Sequence, residues 1–462
     1  MNLDGMPKLD GRRLIKESGD LFLNDYYQSF LPGFTDLIKQ SKDRIWYKDP
    51  VKHYGLQIAL LETLQGLERA SSEGKKLSRE QSSAELDMQS KRNKFLAKAV
   101  KEISDGVAWR TLGYSRFKMR ILSQGRYSGH TWGKDGQLAE LKHARRIVGN
   151  GGYVLINDVT NCLRIGDLTL IHPDKRGKCY LVEIKKNEII TAYSILNKLD
   201  SGKKLDKQEK RLFQAQIAID ENKFPASFGK IPFEGINIPL HDVISSVSAI
   251  TKQALKKGAA FRMITSYMRV EAIDLPALFQ RNDFKTVIDD LGYPDVTPFF
   301  EYSSYDHLMV GAIGEVERGS PPYTIFPLPT EVIVKIITGE LYVKCSLYEE
   351  PLKAAFKSQG WELLINKDAL RQYTPPTDEE NVTHMSSELL FPKSGYEALP
   401  GPMKLKNPNG FSLPAFELIS QMTREYLTVQ HVVAVAQEIM KRATRGEAKY
   451  TFPEVNDKRR WN

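Results

Sequence analysis

Apolar residues recur at helical spacing through much of the first hundred residues. The segments 56–70 and 78–105 both carry apolar side chains three and four positions apart among charged residues. This is the pattern of helices that bury one face. Ser78 is interpreted as the N-cap of the second helix, and the polar stretch at 71–77 predicts a short loop between the two. Residues 1–105 are therefore interpreted as a helical N-terminal region.

The pattern changes near residue 106, where Gly, Arg and aromatic residues become frequent and short apolar runs follow. Alternation and β-branched content favour strands in these runs, and longer periodic segments favour helices. The predicted elements are a helix at 136–148, strands at 151–160, 164–173 and 179–186, a turn at 175–178, a helix at 205–220, a strand at 235–244, a helix at 245–257 and a strand at 261–273. This order predicts a mixed α/β block over 106–275.

The last third of the chain, 276–462, has a less regular pattern. Residues 330–348 fit either a strand or a helix followed by a strand. The Pro/Gly-rich, polar stretch at 373–414 predicts a long loop. Residues 415–443 predict one or two amphipathic helices. The region is interpreted as an additional α+β region whose role the pattern does not give.

Composition narrows the class of protein. The chain has 462 residues, of which 41% are hydrophobic and 27% charged, so it can bury sizeable cores and is not disordered. Its length suggests about two to four domains. Lys and Arg outnumber Asp and Glu by 66 to 57, a formal net charge of +9. This moderate surplus suits a polyanionic partner.

Cysteine usage and hydropathy exclude further classes. Cys162, Cys179 and Cys345 are too few for a disulfide framework, which favours a reducing setting. The first twenty residues lack the apolar core of a signal peptide, and no apolar run approaches the roughly 18–20 residues of a membrane span. The expectation is a soluble cytoplasmic protein with no membrane partner.

One short segment contains three residues that are candidates for catalysis. Asp167 lies early in an apolar run, Glu183 follows sixteen residues later, and Lys185 lies two positions beyond it. Because residues i and i+2 of a strand face the same side, Glu183 and Lys185 are expected to point together, with Ile184 turned away. A tight hairpin would bring Asp167 alongside them. The pattern predicts two carboxylates and one ammonium at one end of a sheet.

These residue types suit metal-assisted hydrolysis of a phosphodiester. Mg²⁺ prefers oxygen ligands and usually takes one or two protein carboxylates together with substrate phosphate. We expect Asp167 and Glu183 to hold Mg²⁺ or Mn²⁺, with the Ile184 backbone carbonyl as an extra ligand. Lys185 would orient or help to deprotonate the attacking water, or stabilise the pentacoordinate phosphate.

This arrangement resembles the PD-(D/E)XK nuclease superfamily, which includes restriction endonucleases, Holliday-junction resolvases and RecB-like nucleases. Gly166 and Asp167 match the PD half of the motif, and the residues 183–185 match the other half. The resemblance spans residues 136–273, about 140 of 462. It implies a restriction-endonuclease-like mixed-sheet core, with a helix, a β-meander that carries the motif, a second helix and further strands.

The resemblance also implies a further acidic residue and shows two departures. Glu140 matches an acidic position on the preceding helix of many members, so it is expected to ligate the metal or support its site. Gly166 stands where the motif name has Pro. At the spacing of the RecB-like Gln-x-x-x-Tyr helix, Gln208 is followed by Leu212, which argues against the RecB-like branch.

Two basic segments are candidate contacts to the DNA backbone. Both contain Lys or Arg at positions that could contact phosphates, and a solvated surface is the alternative for both. The candidates are Lys203, Lys204, Lys207, Lys210 and Arg211 around the helix at 205–220, and Arg116 and Arg120 in the aromatic-rich segment 109–127. For that second segment, the alternative is a loop around core aromatics such as Trp109 and Phe117.

The sequence-based hypothesis is a Mg²⁺-dependent endodeoxyribonuclease. DNA is the implied substrate because most of the resembling family cuts DNA, and restriction, antiviral defence against phage, or repair is the implied setting. A catalytically inactive nucleic-acid-binding or assembly protein that keeps the fold is the alternative. A third interpretation is a structural α/β protein in which the motif is a chance surface ion pair. A homo-oligomer and a separate partner subunit both stay open.

Overall fold

The computed structural model describes most of the chain. The described residues are 24–45, 47–124, 131, 136–171, 178–185, 188–223, 233–236, 241–279, 298–304, 321–366, 403–445 and 450–453. The predicted turn at 175–178 lies outside them except for its last residue. Most of the predicted loop at 373–414 lies outside them too.

Helices and strands alternate through the described residues, so the protein is mixed α/β. Its helices are α1 (Asp25–Gln28), α2 (Leu31–Lys42), α3 (Pro50–Gln81), α4 (Ala84–Thr111), α5 (Arg116–Leu122), α6 (Gln137–Gly149), α7 (Ala192–Asp200), α8 (Lys207–Glu221), α9 (Ile244–Lys257), α10 (Leu275–Phe279), α11 (Thr330–Ile337), α12 (Glu349–Ser358), α13 (Phe416–Glu425) and α14 (Val429–Thr444).

The strands are short. They are β1 (Tyr153–Ile156), β2 (Leu168–Ile171), β3 (Cys179–Lys185), β4 (Glu188–Ile190), β5 (Phe233–Ile236), β6 (Ala259–Met263), β7 (Met268–Asp274), β8 (Phe300–Ser303), β9 (Leu341–Leu347), β10 (Glu362–Ile365), β11 (Met403–Lys406), β12 (Ser412–Pro414) and β13 (Tyr450–Pro453). Short 3₁₀ turns lie at Asn157–Val159 and Tyr323–Ile325.

The chain forms two compact units, neither of which is continuous in sequence. The meander unit contains 32–235, 315–326 and 449–462; the C-terminal unit contains 1–31, 236–314 and 327–448. The division predicted from the sequence places its boundaries elsewhere, at 105 and 275. The predicted α/β block is thus shared between the units, with its residues before 236 in the meander unit.

The meander unit is built around a four-stranded sheet of order β1-β2-β3-β4. Each neighbouring pair is antiparallel, and the register sets Leu168 opposite Val182 and Ile184 opposite Ile189. Helices α3 and α6 contact β1, and α8 contacts β3. The strands form from continuous apolar runs because both faces are largely covered: Leu168 is fully buried, and Val154 is too. The helices predicted before and after the meander are observed as α6 and α8, and the strand β4 and helix α7, which were not predicted, lie between β3 and α8.

Two buried glutamines cover backbone edges of this sheet. Gln57 of α3 donates from Nε2 to the Val154 carbonyl at 2.6 Å, and its Oε1 accepts from the Ile156 N–H at 2.8 Å. Gln216 of α8 likewise accepts from the Leu181 N–H at 2.8 Å and donates to the Cys179 carbonyl at 3.0 Å. Each amide takes the place of a neighbouring strand, so the edges of β1 and β3 do not leave these backbone groups unpaired.

Helices α3 and α4 form an extended hairpin, and the loop predicted at 71–77 is wrong. Helix α3 continues through that stretch because its small residues face α4. The backbone of Gly74 lies against Ser90, and the Ser71 and Ser90 hydroxyls are 3.1 Å apart. The turn comes later, and Ser83 rather than Ser78 caps α4 by accepting from the Leu86 N–H.

Helix α4 extends past the predicted change at residue 106 and ends at Thr111. The Arg-rich segment after it is the short helix α5, capped by Ser115. Trp109 and Phe117 are at most 1% exposed. The interpretation that core aromatics lie within this basic segment is therefore confirmed.

The C-terminal unit contains a second four-stranded antiparallel sheet, of order β6-β7-β9-β8. The single strand predicted at 261–273 is two strands, because the chain turns between Met263 and Met268. These strands do not extend the β1–β4 sheet; β6 pairs with β7, and β7 pairs with β9 instead. Of the two alternatives for 330–348, the helix followed by a strand is correct.

The remaining C-terminal elements are a small sheet and two helices. Strands β10, β11 and β12 pair antiparallel, so the end of the stretch predicted as loop is a β-hairpin. Of the alternatives for 415–443, two helices are correct, separated by Tyr426 in a left-handed conformation. Among the described residues, no helix is both long and apolar enough to cross a membrane. All three cysteines are free and buried.

Candidate functional site

The turn before β2 places Asp167 next to the backbone around Glu183 on β3. Asp167 donates its N–H to the Val182 carbonyl at 2.8 Å. The next residue, Leu168, is the register partner of Val182. Because the Asp167 side chain also accepts a hydrogen bond from the Ile184 N–H, Asp167 contacts the backbone on both sides of Glu183. Both side chains are partly exposed.

Gly166 explains why this chain lacks a proline before the aspartate. Its φ is +75°, in the left-handed region, and a Cβ at this position would lie 2.7 Å from the Val182 carbonyl oxygen. Proline is restricted to φ near −65°, and any other L residue would clash. The glycine is thus required by the close approach of the turn to β3.

Asn157, buried in the 3₁₀ turn after β1, organises the same turn. Its Nδ2 donates to the carbonyls of Ile165 and Gly166, both at 3.0 Å, and its Oδ1 accepts from the Thr169 hydroxyl at 2.9 Å. Its own N–H donates to the Asp167 carbonyl at 3.0 Å. Asn157 therefore fixes the backbone on both sides of Asp167. It is a positioning residue that the sequence analysis missed.

The Asp167 carboxylate reaches across to the neighbouring strand. Its Oδ2 accepts a hydrogen bond from the Ile184 N–H at 2.7 Å. This bond ties the carboxylate to the backbone between Glu183 and Lys185, so the two halves of the motif are held together by side chain as well as by register. A carboxylate anchored in this way keeps its orientation.

Lys185 is engaged by a residue that the sequence analysis did not single out. Its Nζ lies 2.6 Å from Oδ2 of Asp206, the N-cap of α8. The hydrogen bond to Asp206 raises the pKa of Lys185 above its usual value, and the nearby charges of Asp206, Glu183 and Glu209 add to that effect while partial burial opposes it. The same bond lowers the pKa of Asp206. Lys185 is therefore an ammonium at neutral pH, suited to stabilising negative charge rather than to accepting a proton.

A second ion-pair cluster adjoins the first. Lys198 of α7 contacts Glu209 of α8 at 2.7 Å and Glu188 of β4 at 3.2 Å. Glu209 also completes a capping box with Asp206, because its Oε2 accepts from the Asp206 N–H at 3.0 Å. The Asp-x-x-Glu spacing just before a basic helix was the available sequence signal for this cap. These contacts tie β3, β4, α7 and α8 together around Lys185.

Glu140 lies in the first turn of α6 and is 2% exposed. Across the described ranges, no group of three or more His, Cys, Asp or Glu is placed to hold a metal ion. The structure therefore brings Asp167 and Glu183 together but does not add Glu140 to them as a third ligand.

The donor set of the site nevertheless fits a hard divalent cation. Asp167 and Glu183 supply carboxylate groups from neighbouring segments of the β2–β3 hairpin, and both residues are partly open to solvent. Mg²⁺ commonly binds proteins through one or two carboxylates and fills its other positions with water and phosphate. Two carboxylates beside a lysine meet that requirement.

The predicted DNA contacts differ in exposure. Lys203, Lys204, Lys207 and Lys210 are exposed around the start of α8, whereas Arg211 is half-buried. In α5, Arg120 is half-buried and Arg116 is only 4% exposed. The structure favours the four lysines as a surface for phosphates and gives no exposed guanidinium at Arg116.

What the fold and site define is a mixed α/β protein in which Asp167, Glu183 and Lys185 lie on adjoining segments of an antiparallel meander. Comparison with known proteins adds no relative: no family model, no curated protein and no solved structure matches the chain.

Proposed function

We propose that this protein is a metal-dependent nuclease that hydrolyses phosphodiester bonds in DNA. One observation carries the proposal: Asp167, just before β2, hydrogen-bonds the backbone on both sides of Glu183 on β3, and Lys185 lies two residues beyond Glu183. This is the arrangement that the resemblance to PD-(D/E)XK nucleases implies. Restriction, antiviral defence or repair is the proposed setting.

Each residue has a role that its environment supports. Asp167 and Glu183 would hold Mg²⁺ or Mn²⁺, with the Ile184 carbonyl as the extra ligand. A bound metal would lower the pKa of an attacking water and offset charge on the phosphate. Lys185, kept as an ammonium by Asp206, would stabilise negative charge on the phosphate oxygens. Asp206 acts through Lys185, whose charged form it favours through a 2.6 Å contact.

The test is DNA cleavage by the purified full-length chain. Plasmid, linear duplex and single-stranded DNA are incubated with Mg²⁺, with Mn²⁺ and with a chelator. Asp167→Asn, Glu183→Gln and Lys185→Met are each expected to reduce the cleavage rate by at least about 100-fold. Cleavage that survives all three substitutions would overturn the proposal.

Matched controls come from the C-terminal unit. Glu362 is an exposed glutamate on β10, and Lys406 is an exposed lysine on β11. Glu362→Gln and Lys406→Met change the same residue types on strands of the other unit. Both controls should cleave like the unmodified protein.

A catalytically inactive nucleic-acid-binding protein is the second candidate. The observation that favours it is the engagement of Lys185 by Asp206, together with the lack of a third acidic ligand among the described residues. It predicts DNA binding that falls with salt but no cleavage with either metal. That combination of results would replace the nuclease by this alternative.

A further inference from the structure

The outward face of α7 is apolar, although it lies on the surface. Tyr193 is 74% exposed, and Leu196 and Leu199 are 44% and 43% exposed. Residues three apart are neighbours on a helix, so the three side chains form one ridge. Ile195, on the inner side, is fully buried. A surface helix usually turns polar residues outward, and contiguous exposed apolar residues mark interaction surfaces.

This ridge is held in a fixed orientation. Thr191 caps α7 in a reciprocal capping box with Ser194. Lys198 ties the other end of the helix to α8 and to β4, through the pairs with Glu209 and Glu188. A surface that is already ordered loses less conformational entropy when it binds. The α7 ridge therefore suits binding without rearrangement.

Four lysines follow directly after the ridge in the sequence. Lys203 and Lys204 come after the end of α7, and Lys207 and Lys210 lie in the first turn of α8. Within the described part of the chain, none of the four forms an ion pair, unlike Lys185 and Lys198. Exposed lysines without a carboxylate partner are suited to phosphates.

We propose that the α7 ridge and these four lysines bind single-stranded DNA. Tyr193 would stack on an unpaired base, Leu196 and Leu199 would contact adjoining bases, and the lysines would contact the phosphates. An exposed aromatic side chain can stack on a base only where the base is not already stacked within a duplex. The inference rests on the proposed function and specifies the form of DNA that the nuclease binds.

Charge argues against a second copy of the chain as the occupant. In a two-fold interface the same patch lies on both partners, so the lysine clusters of the two copies would be brought together. A polyanion instead complements them. The surface also adjoins the candidate site, because α8 begins next to Asp206, whose carboxylate holds Lys185.

The experiment measures equilibrium binding of the full-length protein in a chelator, so that cleavage cannot interfere. Fluorescence anisotropy follows a labelled single-stranded oligonucleotide of mixed sequence and the same sequence as a duplex. Tyr193→Ala is expected to weaken single-strand binding by at least about fivefold and duplex binding by less than about twofold. Tyr193→Phe, which keeps the ring, should bind like the unmodified protein.

The lysines are tested through salt dependence. Each phosphate contact to a single strand contributes about 0.7 to the slope of log affinity against log salt. The double variant Lys203→Ser, Lys204→Ser should therefore reduce the slope by about 1.4. Lys252→Ser with Lys256→Ser, two exposed lysines of α9, is the charge-matched control, and Leu138→Ala, an 82% exposed leucine of α6, is the apolar control.

Three results would overturn the inference: no loss with Tyr193→Ala, an equal loss for both DNA forms, or a protein dimer in light scattering that Tyr193→Ala dissociates. Failure of the nuclease proposal looks different. If no DNA is cut but single-strand binding depends on Tyr193, the surface stands and the nuclease does not. If DNA is cut and Tyr193→Ala binds normally, the nuclease stands and the surface does not.

Discussion

Two antiparallel sheets in this protein place acidic and basic residues on neighbouring strands, but they bury them to different degrees. In the C-terminal unit, Glu271 of β7 is the register partner of Lys344 of β9. Glu271 contacts Arg269 at 2.8 Å and Lys344 at 3.4 Å, and Lys344 also contacts Glu301 at 3.1 Å. Arg269 and Glu271 are 2% and 4% exposed.

The charged residues around β2 and β3 in the meander unit are more exposed to solvent than the buried pair in the C-terminal unit. Asp167 and Glu183 are partly exposed. The side chains of Lys185 and Asp206 are 33% and 50% exposed. Lys185 contacts one half-exposed carboxylate there, whereas in β7–β9 two carboxylates and two basic groups are linked by contacts that include a nearly buried arginine–glutamate pair. The β2–β3 group has the solvent access that a cation site requires.

The difference separates a structural ion-pair network from a candidate site. Burial lowers the pKa of Lys344, but Glu271 and Glu301 outweigh that effect and raise it well above its usual value. Each buried charge there depends on its partners, so the network contributes to folding. Exposed charges in the meander contribute little to stability. Their partial exposure also leaves them accessible to solvent.

The largest expected effect comes from neutralising one glutamate in each sheet, which tests whether the charges of the two sheets differ in their contribution to stability. Glu271→Gln leaves Arg269 and Lys344 buried with less compensation, so we expect it to lower the free energy of unfolding by about 3–5 kcal/mol. Glu183→Gln should lower it by less than about 1 kcal/mol. Urea denaturation followed by circular dichroism measures both. Equal losses would mean that the two sheets use their charges alike.

Glu340 is a buried carboxyl whose desolvation is only partly offset by its neighbours Lys335 and Gln28. It is 1% exposed, and burial raises its pKa to about 7, although Lys335 and Gln28 oppose the shift. The folded chain then holds a proton that the unfolded chain has lost, so stability should fall as the pH rises from about 4.5 to about 7. Glu340→Gln should abolish this fall and gain up to about 3 kcal/mol above pH 7.

Urea midpoints across this pH range give the measurement for Glu340. Glu362→Gln, on an exposed strand position, is the control and should follow the unmodified protein. A Glu340→Gln profile parallel to that of the unmodified protein would mean that Glu340 is ionised when folded.

The pattern of apolar and polar residues was sufficient to predict elements whose burial depends on residues close together in the sequence. Strands β2 and β3 were predictable from their short apolar runs, in which Leu168, Leu181 and Val182 are buried, and α8 was predictable from its amphipathic spacing. The approach of Asp167 to the backbone around Glu183 followed from strand geometry. All of these depend on residues close together in sequence.

Contacts between distant segments could not be predicted. Helix α7 was missed because its outward side chains, such as Tyr193, are apolar and hide the helical period. The pairing of β7 with β9 joins segments about seventy residues apart. Asp206 has no local feature that marks it as the partner of Lys185, since only the packing of α8 against β3 brings the two together.

Gln216 gives the next prediction, because it links α8 to β3. Gln216→Ala leaves the Leu181 N–H and the Cys179 carbonyl without their partner, which should cost about 1–3 kcal/mol. The Leu181 amide should also exchange faster with deuterium. Gln214→Ala, at an exposed position two residues earlier on α8, is the matched control. Unchanged exchange at Leu181 would show that Gln216 does not hold the edge of β3.

The smallest expected effect concerns Asp206, and it isolates the role of Lys185. Asp206→Asn keeps a good helix cap but removes the ion pair, so the loss of stability should stay below about 1 kcal/mol. Because the folded protein lowers the pKa of Asp206, this carboxylate stabilises the fold above its usual pKa of 3.8, and the stabilisation is lost in acid. Because the folded protein raises the pKa of Lys185, this ammonium stabilises the fold below its usual pKa of 10.5, and the stabilisation is lost in alkali. The variant should therefore differ in stability only between these limits.

Its effect on cleavage should be confined to alkaline pH. Without Asp206, the pKa of Lys185 falls toward its usual value, so the alkaline decline of the cleavage rate should begin at lower pH while the rate at neutral pH changes little. Asp200→Asn, an exposed carboxylate of α7, is the control and should leave the profile unchanged. A merely structural Asp206 would lower the rate equally at every pH. An alkaline shift would instead identify the Lys185 ammonium as the group on which cleavage depends.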